Sequence, residues 1–320
     1  MQNKKNILIK KLKFKLIFLL KTFFRLAGYL GGLILVLCPR KISLNFLYLL
    51  TNKTPNRIFF LFYHFNQSAF NIIKFKFPES YKVSKKLISG SNIILDITQN
   101  TQRQIYFWKI YEPHITYHLK SILNSGDWAI DIGANIGYHT LLMSDYVGDK
   151  GRVFAFEPER LNYENLVNNI MHSDKTNIVA KNLALGEKTE KRRLFLNIDN
   201  EGGHSFVSVP NQNSNYFQEV KVISLDNYLE KFSPEEIKRL KIVKIDVEGF
   251  ERQVLSGMKN LLISNKNIHV ICEISQNHYD ILDMMSDLGY KAYLPNSQGR
   301  ISPTNLSELY GKKRDIIFKR

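Results

Sequence analysis

The stretch Asp127-Trp-Ala-Ile-Asp131-Ile-Gly133-Ala-Asn135-Ile-Gly137-Tyr-His-Thr140, continued after an apolar run by Gly151-Arg-Val-Phe-Ala-Phe-Glu157-Pro158, decides how this chain folds. Trp128–Ile132 is short and apolar and reads as a buried strand. Residues 133–137 form a turn with a small residue at either end. Thr140, Leu141, Leu142 and Met143 suit a following helix, and Val153–Phe156 is the next strand. The unit is strand, turn, helix, strand, with the carboxylate of Glu157 at the second tip.

Such a unit recognises nucleosides. Glycines let a ligand approach the turn backbone, and a helix start offers free N–H groups. Glu157 follows Gly137 by 20 residues, close to the spacing at which an acid meets ribose hydroxyls in dinucleotide folds. The turn is nevertheless G-x-x-x-G rather than G-x-G-x-x-G, and Asp131 precedes it. An acid there repels a pyrophosphate and suits a cationic ligand, such as the amino group of S-adenosylmethionine. Asp131 and the missing middle glycine thus disfavour a nicotinamide dehydrogenase.

Charge is distributed unevenly along the 320 residues, whose formal net charge is +16. Of the 45 Lys and Arg, 14 precede Glu79, and none of the 29 Asp and Glu does; the 31 cations that remain nearly balance the 29 acids. The charge therefore belongs to a tail. That tail is also apolar: Leu12, Leu16, Leu19, Phe23 and Leu26 fall at helical spacing, and residues 26–39 carry no charge. Basic and bulky-apolar residues together point to an anionic membrane surface. The uncharged run is shorter than the roughly 18–20 residues of a spanning helix, so an interfacial helix is expected, with a packed helical subdomain as the alternative. Cys38 and Cys272 make no disulfide framework and no C-x-x-C metal site, so no metal is expected and a reducing, cytoplasmic setting is.

The domains expected are a basic apolar segment over residues 1–78, a lead-in module over 79–126 laid on a sheet edge, and a catalytic domain over 127–320. Phe59–Phe65 is a possible helix of the first. In the second, Tyr81–Val83 and Ile93–Leu95 are strands, and a helix runs from about Ile115 to Leu123. In the third, Ile178–Asn182, Arg193–Asn197, Val220–Ile223, residues 242–247, His269–Ile274, Lys291–Leu294 and Asp315–Lys319 read as strands, with helices between most of them. Alternating strand and helix implies an α/β sheet covered on both faces. Ligands then gather at the carboxyl ends of the strands, where Asp131, Glu157, Asn182, Asp246 and Glu273 fall. Asn182, Leu183 and Ala184, at the tip after the third strand, are candidate contacts for an adenine. The polar stretch 200–215, with Gly202-Gly203-His204-Ser205, is a candidate substrate loop. Ser233 and Pro234 read as a helix cap and first position. In Lys244-Ile-Asp246-Val-Glu248 the three charged residues alternate with apolar ones and face one way in an extended chain; charges so placed need partners or a ligand.

With these residues placed, the chain resembles the FkbM family of S-adenosylmethionine-dependent methyltransferases. The matching pieces are Asp131-Ile-Gly-Ala-Asn-Ile-Gly-Tyr138, Phe156-Glu-Pro158, Asn182-Leu-Ala-Leu-Gly186, Ile223-Ser-Leu-Asp226 and Lys244-Ile-Asp-Val-Glu-Gly249, with Tyr111-Glu-Pro113 as a pre-domain element. The resemblance implies a class I methyltransferase (Rossmann-like) fold with a seven-stranded, mostly parallel sheet. It implies that Asp131, Gly133, Asn135 and Gly137 line the methionine side of the cofactor, that Glu157 binds its ribose, and that the acceptor is an oxygen, often of a sugar or natural product.

A sulfonium methyl is already activated, so the enzyme chiefly aligns acceptor, methyl and sulfur. A hydroxyl acceptor gains from a general base. Asp246 or Glu248 is expected in that role, with Asp246 also positioning cofactor or acceptor and Lys244 favouring the charged carboxylates. A sugar or lipid-linked glycan at the inner face of the cell membrane is the expected acceptor. A nucleic-acid methyltransferase is disfavoured: there is no Pro-Pro pair, no Pro-Cys nucleophile, and the body is nearly neutral. The remaining alternatives are an inactive cofactor-binding module tethering a glycan-assembly complex and a methyltransferase of small natural products.

Overall fold

The structure, a computed structural model, describes residues 19–35, 37, 38, 47, 68–71, 80–108, 110–197, 203–206, 216–274, 280–304 and 314–320. The chain divides into two compact units, Met1–Val83 with Leu95–Lys109, and Ser84–Ile94 with Ile110–Arg320.

Strands β1 (Lys82–Lys86) and β2 (Asn92–Asp96) form a two-stranded sheet of their own. The larger unit is built on an eight-stranded sheet. Its strands are β3 (Trp128–Ile132), β4 (Arg152–Phe156), β5 (Ile178–Lys181), β9 (Leu240–Ile245), β10 (His269–Ile274), β11 (Lys291–Pro295), β12 (Ile301–Pro303) and β13 (Arg314–Lys319), ordered β12-β11-β13-β10-β9-β3-β4-β5. Neighbours from β10 through β9, β3 and β4 to β5 are parallel, and β13 runs antiparallel to both β10 and β11. This is the class I methyltransferase arrangement with the seven expected strands. β12 adds an eighth at the edge, because the chain turns at Asn296–Arg300 and pairs Tyr293 with Pro303. Lys291–Leu294 were legible as a strand; the three residues of β12, which ends in Pro303, were not.

β3 shows why the centre holds. All five of its residues are buried, and Trp128, Ile130 and Ile132 face one core while Ala129 faces the other. On the first face Ile132 joins Phe156, Ile245 and Phe250; on the second, Ala129 meets Ile115, Met143, Val153 and Ile317. Each large aliphatic or aromatic side chain so buried contributes about 1.5–3 kcal/mol. The chain runs outward from β3 to β5, then crosses back to β9 on the other side of β3. The order therefore reverses between β3 and β9, which makes a crevice at their carboxyl ends.

A second sheet follows β5. It has three strands, β6 (Ala184–Leu185), β8 (Phe217–Ile223) and β7 (Glu190–Phe195), with β8 in the middle. The strands expected at 193–197 and 220–223 belong to it rather than to the main sheet. Strand β9 ends at Ile245, two residues short of the expected 247, so the alternation of Lys244, Asp246 and Glu248 breaks at its tip. Glu248 and Gly249 take left-handed backbone angles, φ +50 and +98. Ser233 caps the helix Pro234–Ile237 in a reciprocal capping box with Glu236.

In the smaller unit, residues 19–35 are helical, with Gly28, Gly32 and Leu35 buried. Leu19, Phe23, Leu26, Leu30, Leu33, Ile34 and Leu37 stand 58–87% exposed. A separate cluster joins Leu35, Leu47, Ala69, Phe70, Ile97 and Phe107. Among the described residues no helix is long and apolar enough to cross a membrane. The possible helix Phe59–Phe65, the first turns of the basic tail and most of the stretch 200–215 lie outside the described residues.

Candidate active site

The turn after β3 is fixed by close packing. Gly133 has φ +78, and a Cβ there would stand 1.8 Å from the carbonyl oxygen of Asp246. The tips of β3 and β9 thus touch backbone to backbone, with the Asp246 N–H donating to Ile132 O at 3.0 Å. Gly137, φ +92, is pressed against Leu166, whose Cδ1 a Cβ would approach to 2.6 Å. The free amides expected in this turn are not free. Gly133 and Ala134 N–H donate to Phe156 O at 2.9 and 3.0 Å, and Gly137 N–H to Ala134 O at 2.9 Å. Asn135, also left-handed at φ +49, gives its N–H to Glu157 Oε2 at 2.7 Å, while its side chain accepts the N–H of Ile136. Glycine is required here by protein packing, and the amides hold β3 and β4 together.

Beneath the crevice lies Lys244, buried in β9. Its Nζ is 3.1 Å from Asp246 Oδ2 and 4.0 Å from Asp131 Oδ1. Burial works against its charge, but Asp246, Asp131 and Glu112 outweigh burial and raise its pKa. Asp131 is 1% exposed; Oδ2 accepts the Thr140 hydroxyl at 2.6 Å, and Oδ1 has no hydrogen-bond partner. Burial raises its pKa, against the Lys244 ammonium and the Thr140 hydroxyl.

Glu112, the middle residue of the Tyr111-Glu-Pro113 element and not among the expected site residues, completes the group. It sits at the cap position of the helix Pro113–Ile122 in a left-handed conformation, φ +44 and ψ +67, and its side chain does not cap that helix. Its backbone carbonyl accepts the N–H groups of Ile115 and Thr116 instead. The carboxylate hydrogen-bonds the Tyr111 hydroxyl and lies 3.7 Å from His139 Nε2. Burial pushes its pKa up to about 8, with Asp246 and Asp315 adding and Lys244 and Tyr111 opposing. His139 is 6% exposed and held neutral by burial and the Lys244 charge.

Further out, oxygens of Asp246, Glu248 and Glu273 all lie within 4.8 Å of one another. The segment 203–206 reaches the same place: the Ser205 hydroxyl donates to Glu248 O at 2.7 Å, and Phe206 packs on Phe250 with ring centroids 4.5 Å apart. His204 Nδ1 accepts the Asn197 N–H at 3.0 Å, which shapes this segment.

At the tip of β4, Glu157 is 5% exposed, and its oxygens accept one backbone N–H each, from Asn135 and from Glu159. Burial, opposed by these two bonds, raises its pKa to about 8. One lone pair per oxygen is left for a vicinal diol. The Asn182 amide donates to Glu157 O at 2.9 Å and Pro158 O at 3.0 Å, tying the tips of β4 and β5 together. Leu183 packs on the main core, and Ala184 is 4% exposed in β6, paired with Val222.

The family profile described as Methyltransferase FkbM domain matches residues 131–292. The chain belongs to the FkbM methyltransferase family. Over 157 residues it is 29% identical to the hexuronic acid methyltransferase AglP of Haloferax volcanii, covering 49% of this chain and 60% of that protein. It is 28% identical over 178 residues to the methyltransferase sdnD of Sordaria araneosa, covering 47% of this chain and 68% of that one. The chain thus spans less than two thirds of the Haloferax protein. Among solved structures, M. jannaschii TYW2 in complex with AdoMet is similar at 13% identity, over 76% of this chain and 89% of that one, with a TM-score of 0.39. The strand order, not that likeness, carries the fold assignment.

S-adenosylmethionine is the methyl donor of this FkbM methyltransferase. The donor set suits it: three buried or half-buried carboxylates face one ammonium at the switch point, and the molecule brings a sulfonium, an α-ammonium and a ribose diol.

Proposed function

We propose that this FkbM methyltransferase O-methylates a hydroxyl of a sugar or lipid-linked glycan. The observation that carries the reading is the convergence of Asp246, Glu248 and Glu273 beside the cofactor turn, within 4.8 Å of one another. A hydroxyl acceptor must lose a proton as it takes the methyl group, and carboxylates at that spot supply the base. In this reading Asp131, Gly133, Asn135 and Gly137 shape the methionine side of the site. Glu157 takes the ribose diol, and Asn182, Leu183 and Ala184 border the adenine. Asp246 or Glu248 accepts the proton, and Lys244 keeps Asp246 oriented through their 3.1 Å contact. The sulfonium supplies an activated methyl group; the chain's own work is alignment and proton acceptance. Likeness to a hexuronic acid methyltransferase supports a sugar acceptor.

The proposal includes the division into residues 1–78, 79–126 and 127–320, and a cytoplasmic site of action at an anionic membrane face. Support for the latter is the exposed apolar face of helix 19–35 in a segment of 14 cations and no acid. A tethering module without catalysis is disfavoured because every carboxylate of the site is present. Transfer of labelled methyl from S-adenosylmethionine to glucuronides tests the reading. The wild-type protein is expected to label them, and Asp246→Asn to lose turnover at least a hundredfold while remaining folded. Full turnover in Asp246→Asn, or labelling of nucleic acid alone, contradicts it.

A further inference from the structure

The cation-binding role that the sequence gives to Asp131 meets an obstacle. Asp131 is 1% exposed and lies behind Lys244, which already occupies the space before its Oδ1. The same buried group contains a carboxylate with access. The Glu112 side chain is 22% exposed, feels the charges of the Lys244–Asp246 pair, and faces His139, whose Nε2 is buried, 3.7 Å away and without a hydrogen-bond partner. Its left-handed backbone leaves the side chain without the cap hydrogen bond of the position it occupies, and the carboxylate bonds the Tyr111 hydroxyl instead. Strain of this kind at a non-glycine residue costs on the order of 1–3 kcal/mol and collects at ligand sites. Glu112, Asp131 and Asp246 carry three negative charges at most, against one on Lys244. A cation of a ligand relieves that surplus; an apolar or anionic ligand does not.

We propose that Glu112 receives the α-ammonium group of the methyl donor, with the Asp131–Lys244–Asp246 group fixing the carboxylate from below. The inference rests on S-adenosylmethionine being the donor. An ammonium offers N–H donors to a carboxylate, which a sulfonium cannot. The groups facing Glu112 are Lys244 and Asp246 from β9, Asp315 from β13, Tyr111 beside it and His139 from the helix after the turn. In the free protein burial favours the protonated carboxyl; the bound ammonium favours the carboxylate, so binding expels a proton.

Calorimetry in buffers of different ionisation enthalpy counts that proton. With Glu112 titrating at about 8, roughly nine-tenths of a proton from this carboxyl is expected near pH 7, and its share of the affinity rises about tenfold per pH unit below 8. All three ligands bring the ribose to Glu157, whose pKa is also raised to about 8, and share any proton it gives up. S-adenosylmethionine and S-adenosylhomocysteine carry the ammonium and should each release more than 5′-methylthioadenosine, which carries neither ammonium nor sulfonium. Glu112→Gln should abolish that excess, reduce the pH dependence to that of 5′-methylthioadenosine and weaken S-adenosylhomocysteine at least tenfold. Subtracting the variant also removes the ligand's own amino titration. If Glu112→Gln does not fold, the wild-type difference between S-adenosylhomocysteine and 5′-methylthioadenosine decides alone. Unchanged release or affinity in Glu112→Gln overturns the proposal, as does release with S-adenosylmethionine but not S-adenosylhomocysteine. A wild-type protein that binds none of the three sinks the donor itself, a separate failure.

Discussion

Gly133 and Lys244 carry the heaviest demands of any single residues in the site. A methyl group at Gly133 meets the Asp246 carbonyl at 1.8 Å with φ at +78, and neither partner is a flexible side chain. Gly133→Ala is therefore expected to destabilise the protein by roughly 3 kcal/mol or more in urea unfolding, whether or not cofactor is present. A loss of cofactor affinity at unchanged stability contradicts this. Lys244→Met leaves Asp131, Asp246 and Glu112 without a cation, which costs roughly 3–5 kcal/mol. The folded pKa of Lys244 is raised, so its contribution is present at neutral pH and is lost only above the ordinary lysine range. Burial also raises the pKa of Asp131 and Glu112, so protons neutralise them as the pH falls. The deficit of Lys244→Met should thus be largest at about pH 9 to 10, above the range where Glu112 takes up its proton and below the lysine range, and smaller near pH 5; equal deficits refute the account. Asp131, Gly133, Glu157 and Asp246 were legible in the sequence because turn glycines and strand-end acids have local signatures. Glu112 was legible as part of the Tyr111-Glu-Pro113 element but not as a site residue, because it joins Lys244 across more than 130 positions of chain.

At the scale of elements, two motifs that point to the family turn out to be joints. Asp226 accepts the N–H groups of Asn260 and Leu261 at 2.9 and 3.0 Å, and its own N–H donates to Gly257 O. It caps the helix Lys259–Ser264 from a helix more than 30 residues earlier. Gly257 in turn lies so close to Gly186 that a Cβ would stand 1.9 Å from the Gly186 oxygen. Asp226→Ala is expected to cost about 1–2 kcal/mol, read as a lower urea midpoint with methyl-donor affinity unchanged; a drop in affinity instead would assign Asp226 to the site. The parallel core was readable from period and length. The second sheet was not, because β6 is two residues long and β7 and β8 alternate as any edge-type hairpin does. The tip of β9 was misread for a related reason: Lys244, Asp246 and Glu248 keep the alternation of a strand after the chain has left it.

For the whole molecule, charge and chemistry are segregated. The cations in excess belong to residues before Glu79, and the carboxylates of the site lie in the nearly neutral remainder. Full-length protein should sediment with vesicles containing anionic lipid and should not with neutral ones, and Leu26→Glu with Leu30→Glu should abolish the difference. Equal recovery with both vesicle types contradicts an interfacial helix. The claim on which the rest depends is that the tips of β3 and β4 hold a sulfonium nucleoside. Titration of folded protein with S-adenosylhomocysteine by calorimetry tests it most directly. The account predicts one site per chain, weakened about a hundredfold or more by Glu157→Ala through the loss of two charge-assisted hydrogen bonds to ribose. Absence of binding by well-folded protein, or unchanged affinity in Glu157→Ala, would contradict it.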